Sequence, residues 1–316
     1  MTEIQITSGQ EKQRFDKFLK KYFKAASGGF LYKMLRKKNI TLNKKKADGS
    51  EILQAGDMIQ VFFSDETFSK MRGQEAVSSE YQKLLHVPHE LQVIYEDDLM
   101  LIVNKPSGML SQKASESDIS LNESILSYLI HEGLLSEETY AVFHPSVANR
   151  LDRNTSGIVL AGKTLAGQQF LSDILRDRSA KKIYHCIVRG KVEEEMHLKG
   201  YLLKDERSNQ VQIFSDETQD AKPIETAYRP LVVGPDATLL EVHQITGRSH
   251  QIRAHLASIG HPIAGDPKYG DMVWNKKLRQ DFSVRSQLLH AYSITLPDGR
   301  TFIADEPEIF SQIMRG

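Results

Sequence analysis

The chain has 316 residues, 40% of them hydrophobic and 26% charged, with 41 basic side chains balanced by 41 acidic ones. That length suits two domains, one of them large enough for a substantial core, and a single cysteine, Cys186, excludes an intrachain disulfide and a thiol-based metal site. The first fifteen residues lack the apolar core of a signal peptide and no apolar run reaches membrane-spanning length, which points to a cytosolic protein.

The zero net charge conceals a strong local field. Between Glu11 and Lys46 there are 13 Lys or Arg and two acids, an excess of +11. A polyanion responds to such a patch and not to the chain average, because charges beyond about 10 Å are screened at moderate salt. Phe15, Phe18, Leu19 and Tyr22 have helical spacing with lysines on the other face, and Gly28-Gly29 reads as a break before a second helix, Phe30 to Lys38. Extended chain follows through Ile40-Thr41-Leu42-Asn43 and Lys44-Lys45-Lys46, and the module closes with Ala55-Gly56-Asp57 and a strand from Met58 to Phe63. Two helices presenting lysines beside a hairpin grip phosphates without reading bases. A solvated charged face is the plain alternative. These segments, above all Leu35-Arg36-Lys37-Lys38-Asn39-Ile40-Thr41-Leu42-Asn43, resemble the alpha-L RNA-binding motif, and Lys33, Arg36, Lys37, Lys38, Lys44 and Lys45 are its candidate RNA contacts.

Residues 67–88 are polar, with little to bury, and read as a linker with some helix between an N-terminal module (1–66) and a larger domain (89–316). The larger domain opens with a hairpin, Leu91 to Asn104, around the acidic turn Glu96-Asp97-Asp98. Lys105-Pro106-Ser107-Gly108-Met109 places a turn and a lysine at a strand end, where sites are often built. Ser120-Leu121-Asn122-Glu123 is a capping-box pattern for a core helix that Gly133 stops.

The stretch with the clearest chemistry is Asn149-Arg150-Leu151-Asp152-Arg153-Asn154-Thr155-Ser156-Gly157, which enters the apolar strand Gly157 to Gly162. One carboxylate stands between two cations, which favours its charged form and hence attack or proton abstraction. Thr164 then caps a helix expected to turn Phe170, Leu171, Ile174 and Leu175 inward. In the strand Lys181 to Val188, Tyr184, Cys186 and Val188 share a face. Residues 209–233 read as short strands and turns. A strand from Leu239 runs through Thr246-Gly247 into a helix holding Ile252, Leu256 and Ile259 inside, with Arg248, His250, Arg253 and His255 near its start. His250 and His255 lie five apart, which separates them around a helix and disfavours a shared metal; the arginines beside a helix N-terminus suit anions. A mobile basic segment is expected after Gly270, then a final strand from Leu288.

Taken together, Lys105-Pro106-Ser107-Gly108, Asn149 to Leu160, Lys181 to Val188, Thr246 to Asp266 and Leu288 to Leu296 resemble the RluA family of pseudouridine synthases in order and spacing. The resemblance implies uridine isomerisation in structured RNA, most often large-subunit ribosomal RNA with transfer RNA as the alternative, by a monomer without cofactor or metal. It implies an α+β fold: a mixed, mainly antiparallel sheet flanked by helices, behind a small N-terminal α/β module. It makes Asp152 catalytic, Tyr184 the aromatic that stacks on the flipped base, and Arg253 the partner of the catalytic carboxylate. Arg150 matches the arginine that fills the gap left by that base. Arg153, Thr155, Lys105, Arg248, His250 and Leu289 complete the candidate substrate contacts. Asn149 departs from the family, where His is usual. Two other classes fit parts of the pattern: an RNA binder that has lost catalysis, and a hydrolase using Asp152 as nucleophile.

Overall fold

The computed structural model describes residues 1–205 and 207–315. The N-terminal module is a four-stranded sheet, β1 (Thr2–Gln5), β4 (Met58–Val61), β2 (Ile40–Leu42) and β3 (Lys45–Lys46) in that spatial order, with helices α1 (Phe15–Tyr22) and α2 (Gly28–Arg36). The helical spacing of Phe15, Phe18, Leu19 and Tyr22 is the buried face of α1. Gly28 and Gly29 do not separate the helices: they form the first turn of α2, capped by the Ser27 hydroxyl, which accepts from Phe30 N. Asn43 and Lys44 both take positive φ, 50° and 62°, as a two-residue hairpin turn between β2 and β3 requires. β1 had no sequence signal because its ladder partner, β4, lies more than fifty residues away.

The span read as a linker is helical for most of its length, as α3 (Asp65–Arg72) and α4 (Gln74–Leu84). Phe68 and Met71 pack on the N-terminal core, while Val77, Tyr81 and Leu84 pack on the large one. Few apolar residues are needed because each finds a partner on a different body.

The large domain holds an eleven-stranded sheet in the order β11-β10-β12-β13-β9-β14-β8-β6-β5. In chain order these strands and their helices are β5 (Val93–Glu96), β6 (Met100–Lys105), α5 (Leu121–His131), α6 (Glu137–Val142), β7 (Ser146–Val147), β8 (Ser156–Gly162), α7 (Leu165–Arg176), β9 (Lys181–Arg189), β10 (Met196–Asp205), β11 (Gln210–Phe214), β12 (Lys222–Val233), β13 (Ala237–Gln244), α8 (Gln251–Ser258), α9 (Met272–Phe282), β14 (Leu289–Thr295), β15 (Thr301–Ile303) and α10 (Glu308–Arg315). β15 pairs with β14 and β7 with β8. The sheet is mixed: β8 and β14 run parallel, and the other named strand pairs are antiparallel.

That parallel pair positions the site, because it sets the loops entering β8 and β14 side by side. It also demands close approach: a Cβ on Gly157, whose φ is 109°, would lie 2.3 Å from the Ala291 carbonyl oxygen. On β9, Tyr184, Cys186 and Val188 do enter one core, with Ile252 and Leu256 of α8, while Ile187 enters a second core with Leu278 and Phe310.

Three other expectations differ. Within residues 209–233 the five-residue β11 and the turns of 215–221 are as expected, but β12 runs on for twelve residues; Pro223 is tolerated in it because the ladder to β13 begins only at Thr226, leaving Pro223 paired on one side. The basic segment after Gly270 is largely the helix α9, capped by Asp271 and anchored by Trp274 and Leu278. Phe170 points outward on α7, 36% exposed, while Leu171 and Ile174 are buried.

Candidate active site

Asp152 sits in a loop fastened at both ends. Leu151 and Thr155 are 8% and 2% exposed, and the turn closes with Thr155 N donating to the Asp152 carbonyl at 3.0 Å. On the entry side, Asn149 donates through Nδ2 to the Ile158 carbonyl (3.3 Å) and accepts at Oδ1 from Leu160 N (2.7 Å). A single side chain thereby satisfies both a donor and an acceptor of β8. The residue that departs from the family pattern is a brace for the loop.

The segment from Lys105 to Ser111 holds the same loop from the other side. Lys105, 0% exposed, donates from Nζ to the carbonyls of Pro106 (2.9 Å), Met109 (2.8 Å) and Arg153 (3.0 Å). Gly108 N donates to the Arg153 carbonyl, Ser107 Oγ to the Asn154 carbonyl, and Ser111 Oγ to the Leu151 carbonyl while accepting from Leu151 N. Burial pushes the Lys105 ammonium down to about 8 against the pull of Asp152. With its three protons on three carbonyls, Lys105 has none for a substrate. This corrects its reading as a substrate contact: buried main-chain carbonyls need donors, and Lys105 supplies them.

The cation that meets Asp152 is not one of its sequence neighbours. Arg150 and Arg153 are exposed, and neither makes an ion pair with it among the described residues. Arg253 does, from the first turn of α8: Nη1 donates to Asp152 Oδ2 at 2.8 Å. The rest of that guanidinium is held by Asp266, which accepts from Nε at 2.7 Å and Nη2 at 2.9 Å in a bidentate fork. Asp266 is 1% exposed and also accepts from the backbone N of Lys268 and Tyr269. Burial opposes charge on both partners. Their mutual bonds nonetheless hold the Asp266 carboxyl below the usual carboxylate range and the Arg253 guanidinium above its ordinary value, with Asp152 adding to the latter. Asp266 thus locks the group that orients Asp152.

His250, at the N-cap of α8 with a φ of 54°, places Nε2 3.9 Å from Asp152 Oδ2. Its Nδ1 lies 2.9 Å from the Tyr269 hydroxyl. Tyr184 is 7% exposed, and burial, with the Asp152 charge adding to it, raises its phenol above the ordinary range.

These groups open on a cavity of about 1030 Å³, at the upper limit of the roughly 300–1,000 Å³ of small-molecule pockets. It fits a segment of a polymer. Among the described residues, ten of its lining side chains are Lys or Arg, and Asp152 is the one acid. Such a field gathers an anionic backbone around a single carboxylate. Arg150, Asp152, Arg153, Thr155, Tyr184, Arg248, His250, Arg253 and Leu289 all line it, so the structure brings together these residues from four separate stretches. Lys33, Arg36, Lys37, Lys38, Lys44 and Lys45 are exposed on the N-terminal module and line no part of it. Among the described residues no group of three or more His, Cys, Asp or Glu side chains could hold a metal ion. No helix among them is long and apolar enough to cross a membrane.

Sequence reasoning passed over Asp266, Tyr269, Lys182 and Gln287. Two signals were available. A buried arginine on a helix requires a carboxylate, and Gly265-Asp266 is the nearest acid after it. Lys182 is two residues from Tyr184 and so shares its strand face. Gln287, which donates to Thr155 Oγ1 at 3.4 Å, had none, since only the parallel β8–β14 pair sets it there.

A mixed sheet with one carboxylate, an arginine on it and a buried tyrosine in a basic cleft is the arrangement expected of an enzyme that isomerises a nucleotide within RNA. A sequence profile described as RNA pseudouridylate synthase matches residues 99–258. The chain belongs to this family of RNA pseudouridine synthases, in the branch that its motifs resemble. It is 33% identical over 297 residues to ribosomal large subunit pseudouridine synthase C of Haemophilus ducreyi, covering 94% of this chain and 88% of that one. It is also 33% identical to the protein of that name from Escherichia coli K12, over 92% of this chain and 87% of the relative. In fold it is similar to human RNA pseudouridylate synthase domain containing 4, with a TM-score of 0.56 at 19% identity, covering 76% of this chain and 96% of that one.

Proposed function

We propose that the protein converts uridines to pseudouridine in large-subunit ribosomal RNA, with Asp152 as its catalytic carboxylate. The observation that carries this reading is the Asp152–Arg253–Asp266 chain beside Tyr184, set in a cavity lined by ten Lys or Arg side chains. Isomerisation breaks the bond between the sugar C1′ and base N1 and forms one between C1′ and C5. N1 gains a proton and C5 loses one, so the reaction needs no oxidant and no group donor. Asp152 acts on the ribose, either by bonding to C1′ or by taking a proton from C2′. Arg253 neutralises and aims that carboxylate.

A base in a folded RNA must leave its stack and be held in the site. Tyr184 provides a ring for the uracil face, and Leu289 an apolar contact. Arg150 is exposed at the rim, where it can fill the gap left by the flipped nucleotide. Arg153, Thr155 and Arg248 contact the flanking backbone, and the N-terminal lysines and Arg36 hold more distant phosphates. We read the enzyme as a monomer, since the proposed roles call on no residue of a second copy, and as cytoplasmic, since the relatives are named for ribosomal RNA. The ribosomal assignment rests on the names of the relatives. Pseudouridine mapping across ribosomal and transfer RNA, from cells with and without the gene, tests it. Loss of sites from large-subunit ribosomal RNA is expected, and loss confined to transfer RNA would overturn the substrate assignment.

A further inference from the structure

Arg253 bonds to Asp152 Oδ2, and His250 faces the same oxygen without reaching it. His250 Nε2 stands 3.9 Å away, beyond a direct hydrogen bond. Its ring is fixed from behind. The Tyr269 hydroxyl oxygen accepts from Val211 N at 2.9 Å and lies 2.9 Å from His250 Nδ1. Nδ1 is the one acceptor recorded for that hydroxyl among the described residues, and the tautomer taken here is the one with the phenol proton on this bond. In that tautomer Nδ1 accepts, and in a neutral ring the proton is on Nε2, facing Asp152 and the cavity. Burial lowers the His250 pKa; Asp152 and Asp266 oppose this, while Arg253 and Lys268 add to it. The backbone φ of 54° is a conformation that side chains other than glycine adopt at a cost, and such costs cluster at sites.

A donor N–H and an acceptor carboxylate oxygen 3.9 Å apart can share one oxygen, each at about 2.7–3.0 Å. That oxygen must accept from Nε2 and donate to Oδ2, which a water can do and which a substrate hydroxyl does when it takes the water's place. Resting on the reading of Asp152 as the group that acts at C1′ or C2′, the substrate hydroxyl closest to those atoms is the ribose 2′-hydroxyl, both donor and acceptor. We propose that His250, with Asp152, binds the 2′-hydroxyl of the target nucleotide, and that Tyr269 is a positioning residue that fixes the His250 tautomer. The pair makes the site select a ribonucleotide at the reacting position.

The test is a cycle of single-turnover pseudouridine formation on the shortest ribosomal RNA fragment that the wild type modifies. The target is supplied as uridine or as 2′-deoxyuridine, to the wild type and to His250→Ala, His250→Gln and Tyr269→Phe. The deoxy target and His250→Ala should each slow the reaction about 10- to 100-fold, and together by no more than about threefold beyond the larger single effect. Gln carries an amide N–H close to the imidazole Nε2 position and should recover most of the loss. Tyr269→Phe should slow the uridine target about 3- to 10-fold and leave the deoxy target within twofold of wild type. Should the deoxy RNA not turn over, the same cycle read as Kd applies under the same criterion. Losses that multiply would overturn the proposal even though the wild type forms pseudouridine. A wild type that forms none on any RNA would instead remove the function on which the proposal rests. Thermal melting of each variant separates a folding defect from a lost contact.

Discussion

Asp266→Asn tests the charge chain behind the catalytic carboxylate. The substitution keeps the shape of the side chain but removes its charge, and it turns one accepting oxygen into an NH2 group. Asp266 now accepts four bonds, two from Arg253 and two from the backbone N of Lys268 and Tyr269. The amide must face a donor on one side, leaving Arg253 buried with only Asp152 to balance it. Breaking a buried pair from one side costs roughly 3–5 kcal/mol; with one oxygen kept, about 3 kcal/mol is expected, or a Tm drop of roughly 6–12 °C in a domain of this size. Released from its fork, Arg253 no longer fixes Asp152, and turnover should fall about 10- to 100-fold while RNA affinity holds. The pH dependence has a definite sign. A carboxyl held below its usual value contributes stability above the unfolded value of about 4 and loses it as pH falls through the folded value. The acid limb of the melting profile should therefore flatten in the variant. Differential scanning fluorimetry from pH 3 to 8, with single-turnover assays at pH 7.5, reads both effects. An unchanged Tm and unchanged turnover would refute the reasoning.

Other perturbations separate the remaining roles. Lys105→Met strips the donor from the Pro106 and Met109 carbonyls and leaves the Arg153 carbonyl of the Asp152 loop with Gly108 N alone, so turnover and Tm should both drop, with RNA Kd unchanged; full activity would remove Lys105 from loop positioning. Tyr184→Phe should bind RNA as the wild type does and turn over slowly, since stacking survives and the hydroxyl does not. Equal rates would limit Tyr184 to stacking. Replacing the exposed Arg36, Lys37 and Lys38 with Ala should lower the slope of log K against log salt by roughly 2–3 and leave turnover at saturating RNA unchanged. Loss of turnover with an unaltered slope would mean that the module positions the target directly. Point substitution is preferable to truncation, because Val142 of the large domain is buried in the N-terminal core.

The sequence exposed the parts of this molecule that are local. The buried stripe of α1, the capping box of α5, the period-two face of β9 and the loop entering β8 each depend on residues a few positions apart. It also grouped most cavity-lining residues, through motifs whose order resembles a known family. What it could not supply was pairing across the fold. The arginines flanking Asp152 look like its partners on paper, yet Arg253, about a hundred residues on, holds it. Lys105 reads as a substrate contact at a strand end and is buried under three carbonyls. The span 67–88 looked like a linker because its few apolar residues divide between two cores. α9 looked like a mobile basic segment because its surface is charged and its buried side, Trp274 and Leu278, is sparse. In each case a contact distant in sequence decided the structure, and short-range pattern carries no information about it.

The measurement that bears most directly on the central assignment is pseudouridine formed on large-subunit ribosomal RNA lacking the modification, by the purified wild type and by Asp152→Asn. Quantified by mass spectrometry of nucleosides at saturating enzyme, the wild type should produce pseudouridine at discrete sites. The variant, folded and binding RNA with equal affinity, should produce none above background. Pseudouridine from the variant at more than a trace would contradict the assignment of Asp152 as the reacting group.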